Sequence, residues 1–200
     1  YFQFTLNNYP KIYEAHNPPF ESSIANFKTL SDKIGSGKVI WRYDPILITS
    51  DLTIDFHLVN FENIASQLKG KSKRVVISIV DDYKKTIRRL DKLDVNFKPK
   101  QESNPQIEYL LKNIVEIADK YNFNVESCAE AKDFDHIGIK HGKCIDDELL
   151  YREFGIDLRF KKDKSQRLEC GCMISKDIGS NNTCLMGCEY CYATTTHQMS

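Results

Sequence analysis

The run Arg74-Val75-Val76-Ile77-Ser78-Ile79-Val80 (RVVISIV, residues 74–80) decides the fold. Five of its seven residues are Val or Ile, and they do not alternate with polar ones. A strand with one wet face alternates; a near-continuous β-branched run fits a strand covered on both faces, as in a parallel sheet. The flanks agree. Upstream, Phe61, Ile64, Ala65 and Leu68 share one helical face that closes at Gly70. Before them, KVIWRYDPILIT is an apolar run broken by Arg42, Asp44 and Pro45, read as a strand over Val39–Tyr43. Earlier still, Ile24, Phe27, Leu30 and Ile34 line a helix, with Ser22 or Ser23 as its cap and Gly35 and Gly37 as its stop. The opening YFQFTL reads as a strand ended by the turn signal Asn7-Asn8-Tyr9-Pro10.

Downstream, YKKTIRRLDKLD forms a short basic helix. Asn104-Pro105 opens another, with Ile107, Leu110, Leu111, Ile114, Ala118 and Tyr121 aligned, and FNVESCAE is a fourth strand. The order β-α-β-α-β-α-α-β, with helix-sized crossovers, means an α/β fold with a parallel sheet. A small doubly wound sheet and part of a (β/α) barrel both fit. Because the chain starts at Tyr1 in mid-element, a barrel-like fold with its N-terminal strands missing is expected.

From about Lys161 apolar periodicity fades and five of the seven cysteines gather. We therefore expect a partial (β/α) barrel-like domain at 1–160 and a cysteine-rich, metal-binding segment at 161–200. The 28 basic and 28 acidic residues cancel, so no global field draws the chain to nucleic acid or an anionic surface. There is no apolar run long enough for a bilayer and no secretory leader pattern, which suggests a cytoplasmic protein without membrane partners.

Ligands of parallel α/β sheets bind at the carboxyl ends of the strands. Those ends carry Thr5 and Asn7; Arg42, Tyr43 and Asp44; Ser78, Asp81 and Asp82; and Glu126, Cys128 and Glu130. Arg42 suits a bidentate grip on a carboxylate or phosphate, while Asp44, Asp81 or Glu126 suit proton transfer or a sugar hydroxyl. Arg42, Asp44, Asp81 and Glu126 are the candidate catalytic residues. Strand ends also meet solvent, so each taken singly is better explained by structure, and it is the coincidence across four strands that marks the set. The basic helix (Lys84, Lys85, Arg88, Arg89, Lys92) and the run Arg159, Lys161, Lys162, Lys164, Arg167 allow a nucleic-acid contact; a solvated helix face explains the former as well. The histidines are scattered, and His57, between Phe56 and Leu58, reads as packed.

Seven cysteines in tight groups fit a disulfide framework poorly and metal ligation well. Cys184, Cys188 and Cys191 are spaced C-x3-C-x2-C in TCLMGCEYCYA (183–193), with Tyr190 before the last. Three thiolates can hold a [4Fe–4S] cluster with one iron open. Zinc is the rival, for Cys170 and Cys172 with Cys188 and Cys191 would also make four ligands. Setting the loop aside leaves Cys128, Cys144, Cys170 and Cys172, enough for a second closed cluster or a structural zinc.

The stretches FTLNNYP, VIWRYDPI, RVVISIVDDY, HGKCIDDEL, QRLECGCMISKDIGS and TCLMGCEYCYA together resemble an uncharacterised bacterial family, domain of unknown function 1848. That resemblance implies a further N-terminal segment and a cysteine cluster similar to the loop of radical S-adenosylmethionine enzymes. In those enzymes the loop follows the first barrel strand, whereas here it follows every strand, and no Gly-Gly-Glu strand end is present. The expectation is thus an iron–sulfur enzyme using S-adenosylmethionine and an electron donor on an unknown small-molecule or macromolecular substrate. A non-catalytic metal protein, structural or electron-carrying, and a nucleic-acid enzyme resembling photoproduct lyases are the alternatives.

Overall fold

The structure, a computed structural model, describes residues 1–99, 104–158 and 161–194. The Val/Ile run forms β3 (Arg74–Ile79), and every residue of it except Ser78 is buried. Around it stand β1 (Phe2–Thr5), β2 (Val39–Ile46), β4 (Asn124–Ser127) and β5 (Lys140–His141). The helices are α1 (Phe20–Ile34), α2 (Ile54–Leu68), α3 (Lys84–Lys92), α4 (Pro105–Lys120) and α5 (Asp147–Phe154). All four strand pairings are parallel, and the order is β1-β2-β3-β4-β5. Each strand lies beside its predecessor, so there is no reversal of winding and the doubly wound alternative falls.

A barrel is not confirmed. The described residues supply five strands in an open sheet, with β1 and β5 as its edges. Closure takes about eight strands. What the described residues form is an open, singly wound α/β sheet.

One face of the sheet carries the core. Phe4, Trp41, Tyr43, Val75, Ile77 and Val125 pack there against α1, α2 and α4. Trp41 stacks on Phe61 of α2, with ring centroids 4.7 Å apart, and meets Phe123 edge-on at 5.6 Å. His57 is wholly buried, bonded to the Tyr43 hydroxyl (2.8 Å) and the Leu47 carbonyl (3.1 Å). It is packed, as its flanks suggested. Tyr43 therefore faces the helices, away from the ligand edge where the sequence placed it.

The helix ends follow local chemistry. Thr53 and Asn104 cap α2 and α4 through their side chains, accepting from Phe56 N and Gln106 N. The serine cap expected for α1 is corrected: that helix starts earlier, after Pro19, without a side-chain cap bond, and Ser23 is buried inside it. Prolines 18 and 19 bring a pre-set φ that suits a helix start.

The opposite face is mostly polar. Ile40, Val76 and Leu149 of α5 make a small apolar patch there. Register places Arg42, Val76 and Glu126 in one row. The composition change near Lys161 abuts residues 159–160, which with Arg159 and His197 lie outside the described residues.

Candidate functional site: a cysteine-lined cavity at the carboxyl edge

Past the carboxyl ends of β1–β4 lies a cavity of about 870 Å³. Its lining includes Asn7, Arg42, Asp44, Ser78, Asp81 and Glu130 from the strand ends. All seven cysteines line it as well. This convergence follows from topology: a parallel sheet delivers every strand end to the same edge, and the tail folds back over that edge.

Asp44 is the hub of the polar floor. It accepts from Arg42 Nε at 2.7 Å and from the Ser78 hydroxyl. Asn7 brackets its backbone, accepting from Asp44 N (2.8 Å) and donating to Asp44 O (3.0 Å). The Asp44–Pro45 peptide is cis. Arg42 Nη1 also donates to Cys144 Sγ at 3.0 Å. Glu130 accepts from Ile79 N at 2.8 Å, and burial lifts its carboxyl to about 7.

The other two acidic candidates stand apart. Asp81 sits at the exposed mouth, paired with Arg167 at 2.6 Å. Glu126 lies outside the lining and shares Arg74 Nη1 (2.9 Å) with Asp146 (2.8 Å). It serves the buried base of the sheet's polar face.

The cysteines form two groups. Cys128 and Cys144 stand with sulfurs 3.2 Å apart. The two are driven apart: the Cys128 hydrogen bond draws Cys144 down against burial, aided by Arg42, and the same bond with burial drives Cys128 up. Cys172 Sγ accepts from Cys144 N (3.2 Å) and Ile145 N (3.4 Å), while burial pushes its thiol up to about 11. Cys170 is buried nearby.

The second group is the loop of Cys184, Cys188 and Cys191, held by its backbone. Arg89 of the basic helix donates to the carbonyls of Glu189 (2.8 Å), Thr194 (2.8 Å) and Cys191. On the other side Glu189 N donates to Tyr13 O (2.9 Å) and His16 N to Met186 O (3.0 Å). Gly187 makes the fit possible: its φ is 66°, and a Cβ there would meet the His16 ring at 2.9 Å. Tyr190 turns inward, donating to Glu14 Oε1 and accepting from Asn7 Nδ2 at 3.2 Å, with its ring 6.0 Å from that of Tyr9. Cys188 is half-buried, and burial lifts its thiol to about 12. Among the described residues no three His, Cys, Asp or Glu side chains stand as a ready-made metal site. The thiols are gathered rather than assembled.

Sequence reasoning missed Glu14, which is 3% exposed, and the special part played by Arg89. Arg89 stood out only as one of five basic residues; its inward aim depends on where the tail docks. Lys84, Arg88 and Lys92 of that helix are exposed, as a solvated face requires.

Fold and site together define an open parallel α/β protein with a thiol-rich cavity at its carboxyl edge. The chain belongs to the family described as Domain of unknown function (DUF1848), whose model matches residues 1–193. No curated protein and no solved structure matches it. No described helix is long and apolar enough to cross a membrane.

Proposed function

We propose that the chain is an iron–sulfur protein whose Cys184–Cys188–Cys191 loop holds a [4Fe–4S] cluster facing a substrate cavity, in the manner of radical S-adenosylmethionine enzymes. One observation carries the reading: the three loop thiols line the same cavity as Arg42, Asp44 and Ser78. The donor set fits, because three soft sulfurs on one loop suit iron and leave a coordination position for another ligand. Such a cluster supplies one-electron reduction of S-adenosylmethionine.

The protein's own groups have separable tasks. Arg89 fixes the loop by donating to its carbonyls. Arg42 and Asp44 present a cation and an anion at fixed positions, able to orient a polar substrate. Tyr9 and Tyr190 form an aromatic wall, and Tyr190, a residue of the loop, ties the loop to the connection after β1 through Glu14. The substrate is a small polar molecule or a side chain reaching into the cavity.

Anaerobic reconstitution with iron and sulfide tests this. The expected result is stoichiometric iron and sulfide, with one [4Fe–4S] equivalent lost in Cys188→Ser, and an electron paramagnetic resonance signal altered by S-adenosylmethionine. Stoichiometric zinc on the loop without sulfide overturns the reading. A cluster indifferent to S-adenosylmethionine overturns its radical part.

A further inference from the structure

We propose that Cys128, Cys144, Cys170 and Cys172 form a second metal centre, closed by four protein thiolates, that fastens the tail to the carboxyl edge of the sheet. It does not rest on the reading of the loop, since the two groups share no residue.

The four sulfurs come from three separate pieces of chain. Cys128 leaves β4, its amide still bonded to Ile77 O at 2.9 Å. Cys144 follows β5, and Cys170 and Cys172 belong to the tail. The Cys128–Cys144 sulfur distance is 3.2 Å, and Cys172 Sγ lies within 3.2 Å of Cys144 N. Two sulfurs receive three N–H donors: Cys144 from Arg42 Nη1, and Cys172 from two backbone amides. Hydrogen bonds to sulfur from a cation and from peptide N–H groups are what a sulfur-rich, anionic centre needs around it.

Mechanical need points the same way. Among the described residues after 160, the buried hydrophobics are Cys170, Cys172 and Met173. Two of those three are the proposed ligands. The backbone is docked at this same place, with Met173 N on Ile145 O (3.1 Å), and the tail is closed on itself by Asp163 N on Cys172 O (2.9 Å). So little apolar area cannot fasten a segment of this length, and bound metal supplies folding free energy directly. Four thiolates suit a tetrahedral zinc or a closed iron–sulfur cluster, and neither leaves a position for substrate. Loading releases the thiol protons and draws the sulfurs into closer convergence than they show here.

The test uses the full chain carrying Cys184→Ser, Cys188→Ser and Cys191→Ser, purified anaerobically. Titration with Co2+ alone is expected to yield one bound ion per chain, with intense thiolate-to-cobalt charge transfer and tetrahedral d–d bands, displaced by Zn2+. A parallel arm with iron and sulfide distinguishes a cluster from a single ion. Adding Cys170→Ser and Cys172→Ser is expected to abolish binding in both arms. Mass-spectrometric mapping of thiol alkylation should find metal protection at 128, 144, 170 and 172. The same map on the unsubstituted chain decides the matter if the triple variant does not fold. No metal bound by a folded triple variant, metal retained without Cys170 and Cys172, or a Cys128–Cys144 disulfide in the anaerobic protein each overturns the proposal. Failure of the loop to take a cluster leaves this result untouched, so the two readings fail separately.

Discussion

The sheet with its helices and the cysteine-bearing tail are held by different forces. The sheet is stabilised by apolar burial: Trp41, Phe61, Phe123 and the Val/Ile run of β3 are almost fully removed from water. The tail buries little and is held by directed bonds, chiefly Arg89 on three carbonyls and the amides of Glu189 and Met173. Burial is indifferent to direction, whereas hydrogen bonds and metal–sulfur bonds specify position. The cavity thus has a floor fixed by the sheet, with Arg42, Asp44 and Ser78, and a wall of tail residues held by directed bonds.

The largest expected effect lies in the sheet. Phe61→Ala removes the face on which Trp41 stacks, at a cost of about 3–5 kcal/mol. Urea unfolding should show it globally; a comparable global loss from a tail substitution would break the comparison.

Acid gives the next effect. Burial holds His57 down at about 4, below the ordinary value of 6.5, so the unfolded chain takes the proton first. His57's contribution is full above pH 6.5 and is lost as pH falls toward 4, up to about 3 kcal/mol. Unfolding measured across that window should slope downward toward acid, and His57→Asn should flatten the slope. An unchanged slope in the variant would show that the transition does not belong to this histidine.

In the tail, Arg89→Ala is expected to open the loop locally by about 1.5–3 kcal/mol, the scale of bonds to a charged donor. Hydrogen exchange over 183–194 should report it while the global transition stays in place. Arg89→Lys should rescue only partly, because one ammonium cannot reproduce the fork. Smallest is Gly187→Ala, about 1–2 kcal/mol from the left-handed backbone, partly relieved when His16 is also made Ala. Equal protection of residues 183–194 in Gly187→Ala and the parent would show that the close approach to His16 does not govern docking.

Most of the sheet was legible because its signals are local. The β3 run, the Phe61–Leu68 face and Asn104-Pro105 each announce their element within a few residues. β5 and α5 were missed: β5 is Lys140–His141 alone, and both residues are exposed. α5 left a fainter mark in Asp146, whose side chain caps the amides of Glu148 and Leu149. Closure into a barrel was not legible, because it depends on whether the edges of the sheet meet rather than on any one strand. At the site, the position of Arg42 and Asp44 late in the β2 run marked them as strand-end polar residues, and both line the cavity. Glu126 shares that face, but its partner Arg74 is 52 residues away, and periodicity carries no record of such a pairing. Glu14 became visible only when Tyr190 was placed beside it.

That Glu14–Tyr190 contact spans 176 residues. Contacts of such separation form late, because a long loop must close before they are rewarded. During synthesis the sheet can assemble while the cysteine loop is still being made. The cavity acquires its last wall only when residues 184–191 emerge and meet the connection after β1. A chain stopped short of that loop is expected to form the sheet and leave the cavity without that wall.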